Sequence, residues 1–253
     1  MNKNILIVGY GVVGKNLHNE ILELNPDIFD KFKIGYNTKR TGIKYDLAFI
    51  CVDTPLTRDE PVDLDITEVR NAIKENEADI YVIKSTCPLG TVEKLKKELG
   101  KRIIFSPEYY GNTKHCNNFE FNFTILGGDK QDCVDVIQIL QKCYDGRHIF
   151  RITDSKTAEL VKFMENSFLA TKVSFCNQFY ELCKKHNISY EELRELFILD
   201  PRVNPSHTLV YEDSPYWDSH CLNKDVNYIA YNLDAFLLQD VCEFNNSQKY
   251  KNS

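Results

Sequence analysis

The chain opens with an apolar run, "NILIVGYGVVG", that gives way to helical spacing in "KNLHNEILEL". A short continuous apolar run bounded by glycine reads as a buried strand, and recurrence every three or four residues reads as an amphipathic helix. The alternation continues. "KFKIGYN" reads as the second strand and "YDLAFICVDTP" as the next. "DITEVRNAIKEN" is a helix with Asp65 as its N-cap, "DIYVIKST" a strand, and "TVEKLKKEL" a helix stopped by Gly100. "RIIFSPEYY" and "FNFTILGGD" are strands, "QDCVDVIQILQKC" a helix and "RHIFRIT" a strand. This predicts an α/β fold: a Rossmann-like parallel sheet over residues 1–153, covered on both faces. Only about eight residues separate Asn37 from the strand that starts near Tyr45. A crossover with its helix needs roughly 10–12 or more. The usual third strand and its helix are therefore missing, and the sheet is expected to be trimmed at its adenine-side edge.

From Asp154 the pattern changes to a mostly helical domain over 154–245. "DSKTAELVKFMENSFLATKVSFCNQFYELCKKH" contains no Gly or Pro. Leu160, Phe163, Met164, Phe168, Leu169, Val173, Phe175, Cys176, Phe179 and Leu182 recur along it at helical spacing. That stripe is wider than a surface helix requires, so part of it is expected on a second subunit, as a homodimer. "SYEELRELFIL" follows, with Ser189 and Glu192 as a capping box. Two prolines break "DPRVNPSH", "DVNYIAYNLDAFLLQDVCEF" reads as a last helix, and 246–253 as a polar tail.

Composition narrows the function classes. The chain has 253 residues, 43% hydrophobic and 27% charged, enough to bury a core. A net charge of −6 argues against nucleic acid or an anionic membrane as the main partner. No apolar run reaches the ~18–20 residues of a membrane span. The first residues lead straight into a strand and a glycine turn rather than a signal peptide. The nine cysteines are irregularly spaced, with no C-x-x-C and no zinc-type spacing with the six histidines. No metal site is expected, and free thiols point to a reducing, cytoplasmic setting.

The chemistry begins at Gly9-x-Gly11-x-x-Gly14, where a strand turns into a helix. Glycines there let backbone approach a pyrophosphate while the helix N-terminus, with Val12 and Val13, faces it. The expected cofactor is NAD. The ribose-holding residue is sought roughly 20 positions after the motif, where Asn37 stands. Thr38, Lys39 and Arg40 follow it and would suit a 2′-phosphate, so NADP stays open; a solvated basic turn reads equally well.

Taken in order, "GYGVVG", "FICVDTP", "IKSTCPLGT", "FSPEYYGN", "ELVKFMENSFLATKVSFCNQ", "DPRV" and "CLNKDV" resemble the UDP-glucose/GDP-mannose dehydrogenase family, in particular its UDP-glucose 6-dehydrogenase branch. The resemblance implies a two-step, four-electron oxidation of a nucleotide sugar's C6 alcohol to a carboxylate, with two nicotinamide cofactors and a cysteine that captures the aldehyde. It implies Cys221 as nucleophile and Asp225, four residues on, as the carboxylate that helps deprotonate or position water. Lys162 and Asn166 match the pair that holds the reacting oxygen, Thr86 a water-binding threonine, and Glu108 a base or water-orienter. Arg202 matches an arginine that reaches the sugar nucleotide, often across the dimer. Thr54, Thr86 and Lys224 fall on the cofactor side.

The chain departs from that pattern in four places. "YWDSHC" has no glycine where the family has a glycine-rich loop, so Tyr216 and Trp217 could narrow or block the pocket. Asn223 replaces a proline. Asn112 stands in the region of an expected acid. The sequence given ends at Ser253, before the family's second α/β domain. Two readings follow: an active nucleotide-sugar dehydrogenase, or a non-catalytic relative that binds a nucleotide or a protein partner. A one-step hydroxyacid dehydrogenase using Lys162 and Asn166 leaves Cys221 and Asp225 unexplained.

Overall fold

The computed structural model describes residues 3–38, 42–57, 62–111, 113–115 and 120–252. They form two compact units. The first comprises Met1–Thr57, Leu64–Tyr110 and Asn118–Lys162. It is built on one sheet of seven strands: β1 Ile5–Val8, β2 Asp27–Phe29, β3 Tyr45–Ile50, β4 Ala78–Ile83, β5 Arg102–Phe105, β6 Phe123–Gly127 and β7 Ile149–Thr153. Their order is β2-β1-β3-β4-β5-β6-β7. The helices are α1 Val12–Glu20, α2 Thr67–Glu75, α3 Thr91–Leu99 and α4 Lys130–Leu140.

Side chains alternate across the strands, so each face gathers its own core. Leu6, Val8, Ala48, Ile50, Tyr81 and Ile83 pack with Val69 and Ile73 of α2 and with Val92 and Leu95 of α3. Ile5, Ile7, Leu47, Phe49, Val82 and Ile104 pack with Leu17 of α1 and with Val136 and Leu140 of α4. Near-continuous apolar runs in the sequence are the signature of strands buried on both sides.

Two expectations about the sheet need correction. The second strand is Asp27–Phe29, paired in parallel with β1, and not the segment 31–37. Residues 31–36 form turns instead, because "KFKIGY" places Lys31, Lys33 and Gly35 where a buried strand needs apolar side chains. The sheet is not wholly parallel: β6 runs antiparallel to β5 through Phe105 and Gly127. No helix occurs among the described residues between them, and a parallel return requires such a crossover. β6, α4 and β7 then form a parallel pair again. The trimmed edge does hold: among the described residues, β2 is the outermost strand on its side, and β3 crosses to the far side of β1.

The second unit comprises Arg58–Asp63, Gly111–Asn117 and Phe163–Ser253. The division falls inside the long helix α5, Ser155–His186, after Lys162 rather than near Asp154. The first turns of α5 belong to the sheet because Ala158 is fully buried in its core. Further on come α6 Tyr190–Phe197, α7 His220–Asn227 and α8 Phe236–Asn252. Ser189 caps α6 by accepting the Glu192 amide at 3.2 Å. The single last helix expected from the pattern is broken. A π-helical turn, Tyr228–Asn232, and Asp234 in a left-handed conformation (φ 53°) separate α7 from α8. α8 also continues through the polar stretch to Asn252. The unit's core is Ala170, Val173, Trp217, Val226, Ala230, Val241 and Cys242. The stripe on α5 therefore divides. Val173 and Cys176 turn inward, while Met164 (73%) and Phe168 (62%) stand exposed, with Phe175, Phe179 and Leu182 beside them in sequence spacing. No helix among the described residues is long and apolar enough to cross a membrane.

Candidate active site

In the first unit the chemistry gathers at the C-terminal ends of the strands, the place where open α/β sheets bind ligands. β1 runs into the glycine turn, and its glycines are required for separate reasons. Gly9 has φ +92°, and a Cβ there would lie 2.5 Å from the Cys51 carbonyl oxygen. A Cβ on Gly14 would lie 2.0 Å from the Gly9 carbonyl oxygen, so α1 can pack this closely only on glycine. Gly11 has nothing within 4 Å of a built Cβ. That opening, at the head of α1 with Val12 and Val13, fits a pyrophosphate on the helix N-terminus.

The shifted β2 changes the ribose candidate. Asp30, and not Asn37, follows the strand end. Its carboxylate accepts the Tyr10 amide at 2.7 Å and the Phe32 amide at 2.9 Å. Lys33 Nζ donates to the Tyr10 carbonyl, and the Tyr36 ring lies 4.6 Å from that of Tyr10. The turn after β2 thus closes on the glycine loop from the trimmed side. Asp30 is the acid that ends "DIFD"; its signal in the sequence is weak because the strand before it has only three residues. An acid here suits a free ribose diol. Lys39, Arg40 and Asn112 lie outside the described residues.

The ends of β3 and β4 are tied together. Thr54, buried, donates its hydroxyl to the Thr86 carbonyl at 2.7 Å, and Ser85 donates to the Val52 carbonyl at 2.6 Å. Thr86 itself is buried. Past β5, Glu108 is buried and accepts the Tyr110 amide at 2.8 Å. Lys162 Nζ lies 3.6 Å from its carboxylate and 5.3 Å from the Tyr109 ring. The structure therefore brings Glu108 and Lys162 together as a buried ion pair. Lys84, at the end of β4, is a further buried cation. Its ammonium donates to Ser106 Oγ and to the Pro107 carbonyl, each at 3.2 Å, just before Glu108. Burial pushes its pKa down. Its signal in the sequence was a lone lysine following the apolar "DIYVI".

In the second unit, α7 carries Cys221 at its second position and Asp225 one turn later. Ser219 is its N-cap, accepting the Leu222 amide at 3.1 Å. Cys221 is half-buried. Asp225 is 0% exposed. It accepts from Asn166 Nδ2 at 2.6 Å, and Lys224 Nζ is 3.3 Å from its other oxygen. A carboxylate so far from water is tolerated only with such partners. Arg202 is not gathered in. Its side chain is 88% exposed and folds back on Asp200. Trp217 does not obstruct a pocket either: it is 4% exposed, within the core of the unit.

An α/β dehydrogenase fold of the dinucleotide-binding type, followed by a helical domain with a cysteine on a capped helix, is the class that these features define. Family models agree in detail. The NAD binding domain of the UDP-glucose/GDP-mannose dehydrogenase family matches residues 27–146, and the central domain of the same family matches 156–247. The chain belongs to this family, and NAD is its cofactor. A UDP-N-acetyl-D-mannosamine dehydrogenase of Pyrococcus horikoshii is 26% identical over 249 residues, covering 86% of this chain and 57% of that protein. A UDP-glucose 6-dehydrogenase of Campylobacter jejuni is 26% identical, covering 97% of this chain and 72% of that one. Among solved structures, a UDP-glucose dehydrogenase of Pyrobaculum islandicum shares the fold at a TM-score of 0.78 and 20% identity, over 98% of this chain and 68% of that one. The chain thus spans little more than half the length of several curated relatives that it matches.

Proposed function

We propose that the protein is a nucleotide-sugar 6-dehydrogenase, with UDP-glucose, two NAD and water giving UDP-glucuronate and two NADH. The observation that carries this reading is α7, which holds a half-buried thiol and, one turn on, a fully buried carboxylate bonded to Asn166. A helix that needed only to pack would not place a carboxyl group at a position 0% exposed. NAD, when bound, takes up the hydrogen and two electrons of each oxidation. Gly9, Gly11, Val12, Val13, Gly14, Asp30, Thr54 and Thr86 are the residues proposed to hold it.

The chain's own residues account for the remaining steps. Lys162 and Asn166 stabilise the sugar's C6 oxygen as it becomes negative. The Cys221 thiolate adds to the C6 aldehyde to give a thiohemiacetal, whose oxidation leaves a thioester. Water, oriented by Asp225, Thr86 and Glu108, cleaves the thioester to the carboxylate and restores the thiol. The exposed Met164 and Phe168 on α5 support a homodimer through that helix, and the many free thiols support a cytoplasmic setting. A second reading, a non-catalytic relative, is favoured by the glycine-free segment before Cys221.

The test is direct. Purified protein is mixed with NAD or NADP and with UDP-glucose, UDP-N-acetylmannosamine and GDP-mannose in turn, and nicotinamide reduction is followed by absorbance. No reduction with any pair at high enzyme removes the dehydrogenase reading. With turnover, Cys221→Ser is expected to stop the second oxidation. Full two-step turnover in that variant refutes the nucleophile assignment.

A further inference from the structure

α3 starts at Thr91 with no side-chain cap from its own N-cap residue, Gly90, which stands in a left-handed conformation (φ 86°). The cap comes instead from α5, far along the chain. Glu159 is 0% exposed. One of its carboxylate oxygens accepts the Gly90 amide at 2.5 Å, and the other accepts the Val92 amide at 2.9 Å. The Thr91 amide, between them, goes to the Pro88 carbonyl at 3.1 Å. Residues 87–90, the loop held in this way, follow directly on Thr86 at the end of β4. Ala158 and Val92, next to these groups in sequence, belong to an apolar cluster with Ile83, Cys87 and Phe105. The charged groups that act on Glu159 are Glu93 of α3 and Lys156 of α5, which pair with each other at 3.1 Å.

A carboxylate has lone pairs on both oxygens and can accept two amides at once. Protonation turns one oxygen into a hydroxyl, which accepts an amide weakly and needs an acceptor for its own hydrogen. We propose that Glu159 is a pH-responsive positioning residue: ionised, it clamps the loop after Thr86 through both amides, and protonated, it holds that loop through one. Burial pushes its pKa up, the Val92 and Gly90 amides pull it down, and the balance stands at about 7, so the change falls near neutrality. The consequence for the cofactor rests on the reading of Thr86 as a residue that holds NAD; the clamp itself does not. Ionisation has opposite local and global effects. A carboxyl group raised from 4.5 to about 7 in the fold contributes stability that is present below about pH 4.5 and lost as the pH rises through about 7. Global stability from this group therefore falls over the range in which the clamp tightens.

The experiment follows amide hydrogen exchange of the full chain by NMR from about pH 5.5 to about 8.5, each rate being corrected for the intrinsic effect of pH. Protection of Gly90 and Val92 is taken relative to Leu95, further along the same helix. This ratio is expected to rise with pH by about two- to tenfold, the range of one hydrogen bond. Glu159→Gln, permanently neutral, should keep the ratio at its low-pH level throughout. Removing the exposed pair with Glu93→Gln and Lys156→Met should move the midpoint and keep the rise. NADH affinity, followed by nicotinamide fluorescence, should weaken by a similar factor between about pH 8 and about pH 6 in wild type but not in Glu159→Gln. A wild-type ratio that stays flat or falls overturns the proposal, and so does a rise that persists in Glu159→Gln or disappears without the exposed pair. Protection that falls alike at Gly90, Val92 and Leu95 is the global effect alone and also overturns it. If Glu159→Gln does not fold, the wild-type titration decides, since it needs no variant. A ratio that rises while NADH affinity stays constant overturns the link to Thr86. Wild type that binds no NADH at any pH removes the reading of Thr86, while the exchange ratio still decides the clamp.

Discussion

Trp217 is the chain's only tryptophan, so its fate can be read without labels. From sequence it could have filled a substrate pocket; in the structure it is 4% exposed and packed with Ala170, Val173, Val226, Ala230 and Val241. A buried tryptophan removes ~150–250 Å² from water. At ~25 cal/mol per Å² this is about 4–6 kcal/mol, an upper figure because the unfolded chain is itself partly collapsed. Trp217→Ala should therefore destabilise the second unit by about 3–5 kcal/mol, as large core truncations do. Trp217→Phe should cost less, about 1–2 kcal/mol, including about 1 kcal/mol for the lost bond to Ser174. Urea unfolding followed by circular dichroism measures both. Wild-type emission should be blue-shifted and resist acrylamide quenching until the unit unfolds. A loss below about 1 kcal/mol for Trp217→Ala, with emission already red-shifted in the native protein, would refute the placement.

Other expectations follow from single contacts. Gly14→Ala forces a Cβ to within 2.0 Å of the Gly9 carbonyl oxygen, so NADH binding, followed by nicotinamide fluorescence, should be lost while much of the sheet survives. Asp30→Ala frees the Tyr10 amide and removes the acid at the end of β2, so NADH affinity should fall about tenfold or more, with NADPH relatively less affected. His207 is pushed down to about 4 by burial, then by the neighbouring His115 and Lys172. Its neutral form is thus preferred in the fold, and the stability this contributes is present above about pH 6.5 and lost as the pH falls through about 4. Urea midpoints measured across that window should fall more steeply in wild type than in His207→Gln. Lys162→Met leaves Glu108 buried without its cation and should destabilise the first unit by about 3–5 kcal/mol in thermal or urea melts.

Most of the sheet was legible because its central strands are largely buried on both faces and read as near-continuous apolar runs, as at Ile5–Val8 and Ala78–Ile83. β2 was not, because a three-residue edge strand carries too little pattern to outweigh the aromatic and aliphatic residues of the turn after it. A strand read later along the chain points to Asn37, whereas the observed strand end points to Asp30. The antiparallel step at β6 was hidden for a related reason: a strand's own periodicity does not record its direction. At the candidate site, the spacing of Cys221 and Asp225 put them one turn apart on a helix, and both lie on α7. Arg202 was not placed by its motif, since an exposed arginine takes the nearest acid, here Asp200.

By itself the sequence determined the α/β class, the glycine turn, the long aromatic helix and the residue types available for chemistry. These follow from local patterning, which is encoded within a few turns or strands. Tertiary structure alone decided which polar side chains are buried together, such as Glu108 with Lys162 and Asp225 with Asn166. It also decided that "WDSH" turns its indole into a core and hangs from α8. Those outcomes depend on partners that are close in space but distant along the chain, and only packing brings them within bonding distance.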